Sequence, residues 1–136
     1  MYDGSLNKYL NKLNLSKIKV LLKQILLCQL HIYEKIGFIH NDIHLGNIML
    51  NLIQKSKEPE TLIYEIKNRK YTVETNRKLI LSDFDKSKIY DQNILPLEPI
   101  DYNHLIYINI IKTVNAFKML LNENDKKNYP IHLKKH

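Results

Sequence analysis

The sequence predicts an α+β domain in which long helices flank a stretch of short β-strands. Apolar residues recur at three- and four-residue spacing in residues 16–36 and again in 101–122, a pattern typical of amphipathic helices. Between these segments, short apolar runs alternate with polar loops, which favours strands and turns. The 136 residues suit a single domain, and 44% hydrophobic with 26% charged residues is an ordinary globular composition.

Three helices are predicted from capping residues and periodicity. Residues 5–13 form a short helix with Ser5 as its N-cap, and a longer helix over 16–36 begins at Ser16 and ends at Gly37. The last helix covers 101–122 and is followed by a polar tail that we expect to fray. Its expected apolar face consists of Leu105, Ile108, Ile111 and Val114, together with Phe117 and Leu121.

The strands are predicted in the middle of the chain. Short apolar or alternating runs lie at residues 38–40, 47–50, 62–66, 71–73 and 79–81. The polar residues 67–70 form a turn between the third and fourth runs. The run at 79–81 leads directly into Ser82 and Asp83.

Composition excludes several classes of protein. No apolar run is long enough to span a membrane, the N-terminus lacks signal-peptide features, and the single Cys28 cannot form an internal disulfide. We therefore expect a reducing, cytoplasmic compartment, with the nucleus or a virion also compatible. The net charge of +7 comes almost entirely from dispersed Lys, so coding bias explains it better than a nucleic-acid surface.

Two segments carry residue types suited to phosphoryl transfer. Residues 37–50 contain His40-x-Asp42 followed by Asn47, and an apolar strand ends in Asp83-Phe84. Taken singly, each of these side chains is commonly a cap or turn residue. In this order and spacing they resemble the catalytic loop and metal-binding motif of protein kinases.

The resemblance assigns chemical roles to four residues. It implies that Asp42 accepts the proton of the attacking hydroxyl, and that Asn47 and Asp83 hold Mg²⁺ on the phosphates of ATP. His44 stands where most protein kinases have a lysine, so it either faces phosphate or only fills the loop.

The resemblance also assigns supporting roles. It implies that His40 packs under Phe84, and that Asp101, which opens a helix, anchors the catalytic loop from below. Two positions depart from the pattern: Asn41 replaces the usual arginine before the aspartate, and Asp85 replaces the glycine of the metal motif. Without that arginine, control by phosphorylation of the activation loop is not expected.

The branch of the superfamily is indicated by the run from Asp42 to Asn47. D-I-H-L-G-N is similar to haspin-type kinases and to aminoglycoside and choline phosphotransferases. The long insertion at residues 51–78 favours the protein-kinase branch, of an atypical haspin-like or large-DNA-virus type. The resemblance thus implies a Ser/Thr protein kinase that uses ATP and Mg²⁺ on a protein substrate, without nucleic acid or membrane.

The resemblance covers residues 1–121, as the mainly helical large lobe of the kinase fold, and leaves 122–136 as a tail. The three glycines are far apart, so no Gly-rich phosphate loop exists, and no small-lobe lysine or glutamate is identified. The small lobe is therefore expected to be absent or supplied by a second chain. Alone, the chain is expected to bind ATP weakly and to have little kinase activity.

Two other functional classes remain open from the sequence. One is a small-molecule kinase of the aminoglycoside or choline type. The other is a non-catalytic, pseudokinase-like module that docks a partner through the surface a small lobe would otherwise cover.

Overall fold

A computed structural model describes residues 4–10, 12–52, 58–90 and 102–128. Within these ranges the chain forms two long α-helices and three small antiparallel sheets, which confirms the predicted α+β class. In the same ranges, no helix is both long and apolar enough to cross a lipid bilayer.

Helix α1 (Leu15–Ile36) matches the predicted long helix except at its first residue. The N-cap is Asn14, whose side-chain oxygen accepts a hydrogen bond from the Lys17 backbone N–H at 2.9 Å. The prediction of Ser16 as the cap was wrong, because Ser16 already lies inside the helix while Asn14 has the extended backbone that a capping residue needs.

Gly37 ends α1, as predicted, and the surrounding structure requires a glycine there. Its backbone is left-handed, with φ +70°, and its N–H donates to the carbonyl oxygen of Tyr33 at 2.7 Å. A Cβ at this position would lie 2.1 Å from the backbone oxygen of Tyr90. Both the φ value and the close approach therefore exclude a side chain.

The N-terminal segment does not form the predicted helix over 5–13. Instead, Gly4–Ser5 is a short strand, β1, and Leu6–Tyr9 is a single 3-10 turn. Ser5 precedes the turn, but its side chain makes no capping hydrogen bond. A helix this short is only marginally stable in isolation. Its first predicted residue, Ser5, pairs instead with a neighbouring strand as part of β1.

The central sheet has the order β1-β3-β6, where β3 is Ile48–Leu52 and β6 is Arg77–Leu81. Strands β3 and β6 are antiparallel, with Ile48 opposite Leu81. The start of β3 and the end of β6 therefore lie side by side at one end of the sheet. This register brings the polar residues that precede β3 close to those that follow β6.

A β-hairpin occupies the insertion between β3 and β6. Strands β4 (Glu60–Ile66) and β5 (Arg69–Thr75) confirm the predicted pair and are longer than predicted. The turn shrinks to Lys67 and Asn68, both with positive φ, as a two-residue hairpin with right-handed twist demands. The hairpin is tied to α1 where the Lys67 backbone N–H donates to the Glu34 carboxylate.

A third sheet pairs β2 (Phe38–Ile39) with β7 (Lys88–Ile89). Strand β2 was predicted and β7 was not, because only two residues pair and neither carries a strand pattern of its own. This small sheet joins the chain just after α1 to the chain just after the Asp83 segment.

Helix α2 (Tyr102–Asn128) continues beyond the predicted end at 122. The predicted apolar face was wrong for Ile108 and Ile111, which are exposed. The buried face is set instead by Ile106, Asn109, Thr113, Ala116, Phe117 and Leu120. Two polar residues are buried on this face because α1 supplies a buried amide partner, described below. Asp101 lies outside the described residues.

The hydrophobic core lies between α1, the central sheet and the second half of α2. Apolar side chains of this size each contribute about 1.5–3 kcal/mol on full burial. The core comprises Leu6, Leu13, Ile18, Leu21, Ile25, Ile43, Leu45, Ile48, Leu50, Leu81, Ala116, Phe117 and Leu120. Because Ile43, Leu45 and Ile48 belong to it, the polar loop between residues 40 and 47 rests directly on the core.

The first prediction concerns Gly37. The variant G37A combines an unfavourable positive φ with a backbone clash, so it should lower the free energy of unfolding by at least about 1–3 kcal/mol. Urea denaturation measures the change. K19A, at an exposed position inside α1, should stay within about 0.5 kcal/mol of wild type. A G37A protein as stable as K19A would contradict the close approach at Tyr90.

The second prediction concerns Tyr64 on β4. Burial, with the nearby Cys28 thiol as a smaller cause, raises the pKa of Tyr64 to about 12. The folded pKa exceeds the ordinary value of about 10, so the folded state favours the protonated phenol. The stabilisation that this gives is present below pH 10 and is lost as pH rises through 12. Y64F should therefore lose less unfolding free energy than wild type between pH 10 and 12. Y71F, which removes a hydroxyl from the facing strand, is the control and should follow wild type.

Candidate functional site

The segment from His40 to Asn47, here called the 40–47 loop, connects β2 to β3 across the core. Its last residues, Leu45–Asn47, form a 3-10 turn. His44 caps that turn, since its Nδ1 accepts a hydrogen bond from the Gly46 backbone N–H at 3.1 Å. The buried side chains of Ile43 and Leu45 fix the loop to the core, while Asp42 is partly exposed and His44 is exposed.

Asp42 and Asn47 lie in direct contact on this loop. The Asn47 side-chain Nδ2 donates to the Asp42 backbone oxygen at 2.9 Å and lies 3.3 Å from the carboxylate oxygen Oδ2. Asn47 is buried, whereas about a quarter of the Asp42 side chain is exposed. The amide therefore orients the carboxylate and leaves it accessible from solvent.

Asp83 lies just after β6, at the end of the central sheet where β3 begins. The preceding residue, Ser82, donates its backbone N–H to the Asn47 carbonyl oxygen at 2.9 Å and its hydroxyl to the same oxygen at 3.2 Å. Asp83 itself is exposed and has φ +56°. Aspartate is among the non-glycine residues that adopt this left-handed conformation most readily, and here it lies just beyond the end of β6.

His40 joins the 40–47 loop to the Asp83 segment. Its imidazole is almost fully buried, with Nε2 2.7 Å from the Ser82 carbonyl oxygen, and Nδ1 accepts the Asp42 backbone N–H at 3.2 Å. These two contacts require a neutral ring with its proton on Nε2. The ring also lies 5.6 Å from that of Phe84, which is half exposed and makes an edge contact with Phe38. The structure thus places His40 beside Phe84.

Asn41 fastens the segment that follows Asp83. Its Nδ2 donates to the Lys86 carbonyl oxygen at 3.0 Å, and its φ of +70° is one that asparagine tolerates well. Next to it, the Ser87 hydroxyl donates to the His40 carbonyl oxygen at 3.0 Å. The residue that replaces the usual arginine therefore has a structural task.

A buried network of amide side chains on α1 and α2 anchors the 40–47 loop. Asn109 on α2 accepts the Asn41 backbone N–H at 3.2 Å and donates to the side-chain oxygen of Gln29 on α1. Gln29 in turn donates to the Thr113 hydroxyl at 2.8 Å, and all three side chains are buried. Asn109 thus makes the kind of contact that the resemblance assigned to Asp101.

Sequence reasoning missed Asn109 because it treated α2 as an apolar face. The signal was available in the spacing of Asn109 and Thr113, two uncharged polar residues that lie four apart in the helix. Such a pair on a helix face that packs against another helix requires a hydrogen-bonding partner there.

Gln24 holds the strand that leads to Asp83. Its side chain donates to the Arg77 carbonyl oxygen at 2.9 Å and accepts the Leu79 backbone N–H at 2.7 Å. The glutamine is buried. It therefore satisfies backbone groups on the open edge of β6 and sets the position of that strand against α1.

The ammonium group of Lys86 and the imidazole ring of His44 face the Asp42 carboxylate. The Lys86 Nζ lies 3.8 Å from Oδ1, and the His44 Nε2 lies 3.9 Å from Oδ2. Lys86 and His44 are both largely exposed. The carboxylate is therefore bordered by positive or polar groups on either side, with Asn47 behind it.

The oxygen donors at this end of the central sheet fit Mg²⁺ bound together with phosphate. Because the Asn47 side-chain nitrogen faces Asp42, its side-chain oxygen is the atom left to ligate a cation. Asp83 follows Ser82, whose backbone pairs with that of Asn47, and would be the second protein ligand. Among the described residues, no group of three or more His, Cys, Asp or Glu side chains lies close enough to hold a metal alone. Mg²⁺ commonly takes one or two protein oxygens and completes its shell with water and substrate phosphate, so this sparse donor set suits it.

Comparison with known proteins agrees with the kinase-like motifs. Residues 5–121 match the family model described as poxvirus serine/threonine protein kinase. The chain belongs to this family. The match places it among viral Ser/Thr kinase-like proteins and does not reach the finer haspin-like assignment.

One viral relative is similar over most of the chain. Uncharacterized protein 179R of Invertebrate iridescent virus 6 is 33% identical over 99 residues, which cover 71% of this chain. The chain spans only 8% of the length of that protein. The similarity therefore concerns one short region of a much larger viral protein.

The third prediction tests the amide network. N109A leaves the Asn41 backbone N–H and the Gln29 amide oxygen without their partner on α2, at a cost of about 1–3 kcal/mol in unfolding free energy. Amide hydrogen exchange at Asn41 should accelerate more than the global destabilisation explains. N115A, at an exposed position of the same helix, is the matched control. If both variants exchange alike at Asn41, Asn109 does not anchor the loop.

Proposed function

We propose that this chain carries the catalytic and metal-binding residues of a Ser/Thr protein kinase that transfers the γ-phosphoryl group of ATP to a protein hydroxyl. The observation that carries the proposal is the contact of Asn47 with Asp42 together with the backbone pairing of Asn47 with Ser82, next to Asp83. Family membership supports the same reaction class.

In this proposal Asp42 acts on the acceptor hydroxyl. Its carboxylate is exposed enough to meet a substrate and is oriented by Asn47. The acceptor oxygen forms a bond to the γ-phosphorus, the bond from that phosphorus to the bridging oxygen breaks, and ADP leaves. The acceptor proton passes to Asp42, which positions the hydroxyl for in-line attack.

Asn47 and Asp83 are the proposed ligands for the metal that accompanies the nucleotide. Mg²⁺, when bound, would neutralise charge on the phosphate oxygens. The protein fixes the backbone that carries these ligands, because Ser82 donates to the backbone carbonyl oxygen of Asn47 and Gln24 holds β6 against α1. His40, satisfied on both ring nitrogens, holds the segment carrying Asp83 against the segment carrying Asp42.

The proposal includes a docking surface for the small lobe that would clamp ATP. An apolar groove of about 380 Å³ lies between α1, β6 and Phe84. The exposed apolar side chains of Ile36 and Phe84 line it. Such a surface suits the lobe that would clamp ATP, and the same groove supports the rival non-catalytic module, which would use it to dock a partner.

The fourth prediction tests the metal and nucleotide site without requiring turnover. Mn²⁺ with ADP, added to the isotopically labelled chain, should broaden the amide signals near Asn47 and Asp83 in NMR spectra, even at millimolar affinity. D83N should reduce this broadening about tenfold or more, since one of two protein ligands loses its charge. D85N, at an exposed carboxylate two residues away, should behave as wild type.

Phosphotransfer assays then separate the functional classes. With radiolabelled ATP, a protein acceptor should be labelled slowly, because the chain alone is expected to have little kinase activity. D42N should lower that rate by about 10²–10⁴-fold, the usual contribution of a general base. Labelling of aminoglycosides or choline instead of protein would favour the small-molecule kinase. Unspecific broadening that D83N leaves unchanged would favour the non-catalytic module and contradict the proposed site.

A further inference from the structure

The side chain facing the catalytic carboxylate from the opposite segment is unexplained by the kinase-like motifs. Lys86 lies three residues after Asp83, yet its Nζ is 3.8 Å from Asp42 Oδ1. Its side chain is 69% exposed, so the ion pair contributes little to stability, typically less than about 1 kcal/mol. Stability therefore does not account for this placement.

The backbone around Lys86 is nevertheless held in place from several sides. The Lys86 carbonyl oxygen accepts the Asn41 side-chain Nδ2 at 3.0 Å. The next residue, Ser87, donates its backbone N–H to the Phe84 carbonyl oxygen and its hydroxyl to the His40 carbonyl oxygen, both at 3.0 Å. The turn is thus fixed to the 40–47 loop, and it presents an ammonium group on a flexible stem beside Asp42.

Phosphoryl transfer requires such a cation. Negative charge is spread over the equatorial oxygens of the transferred group, and a positioned ammonium stabilises it. Within the 40–47 loop itself the sequence has no lysine or arginine, and His44 occupies the position two residues after Asp42. Among the described residues, Lys86 is the lysine whose ammonium lies within 4 Å of Asp42.

We infer that Lys86 binds the terminal phosphate of ATP, so that the segment after the metal-binding aspartate supplies the phosphate-binding cation missing from the catalytic loop. This inference rests on the proposed function. It also assigns a role to Asn41, which stands in place of the usual arginine. The Asn41 side chain donates to the Lys86 carbonyl oxygen and so fixes the turn that carries the lysine. Lys86 would exchange its Asp42 contact for phosphate when the nucleotide is present.

The test compares ATP with ADP, which lacks the terminal phosphate. The dissociation constants of the two Mg²⁺ complexes are measured by NMR titration of the full 136-residue chain. K86A should weaken ATP binding about tenfold, the value of a charge-assisted contact, while changing ADP binding less than about twofold. K86R should retain most of the preference for ATP.

K88A is the matched control, because Lys88 is also exposed and lies two residues further along, in β7. It should leave both dissociation constants near those of wild type. If K86A and K88A give the same ratio of ATP to ADP affinity, the inference about Lys86 is wrong while the metal site stands. If wild type shows no Mn²⁺–ADP broadening at Asn47 and Asp83, the proposed function fails and the inference with it.

Discussion

The buried His40 imidazole is the interaction on which the arrangement of the site depends. One ring nitrogen accepts the backbone N–H of Asp42 and the other donates to the carbonyl oxygen of Ser82. These two residues are forty positions apart, and each adjoins or carries a carboxylate of the proposed phosphoryl-transfer site. A buried ring that lost either partner would leave a polar nitrogen unsatisfied, so the two segments keep one relative position.

Buried amides extend the same principle to the helices. Gln24 satisfies the edge of β6, and Gln29 with Asn109 connects α1, α2 and the 40–47 loop. An amide is suited to this because it donates and accepts at once and carries no charge that burial would penalise. Helix packing alone would allow the loop to shift along an apolar surface. Directional hydrogen bonds to its backbone restrict that movement.

The departures from the kinase-like pattern are connected to one another. Asn41 adopts a left-handed backbone and holds the Lys86 carbonyl oxygen, while His44 caps the turn before Asn47. The 40–47 loop carries no lysine or arginine, and the segment after Asp83 brings the Lys86 ammonium to its carboxylate. In the inferred role, Lys86 would supply the positive charge that the loop lacks.

Local chemistry was sufficient for much of the fold and for part of the site. The end of α1 at Gly37, the hairpin around Lys67 and Asn68, and the adjacency of Asp42 and Asn47 all follow from short spacing and backbone preference. The sequence by itself also determined the family, because the order of the polar motifs is a property of the chain. The tertiary structure alone decided which face of α2 is buried, that Asn109 reaches Asn41, and that Lys86 faces Asp42. These contacts join residues 44 to 68 positions apart, and their partners are chosen by helix and strand packing that no local pattern encodes.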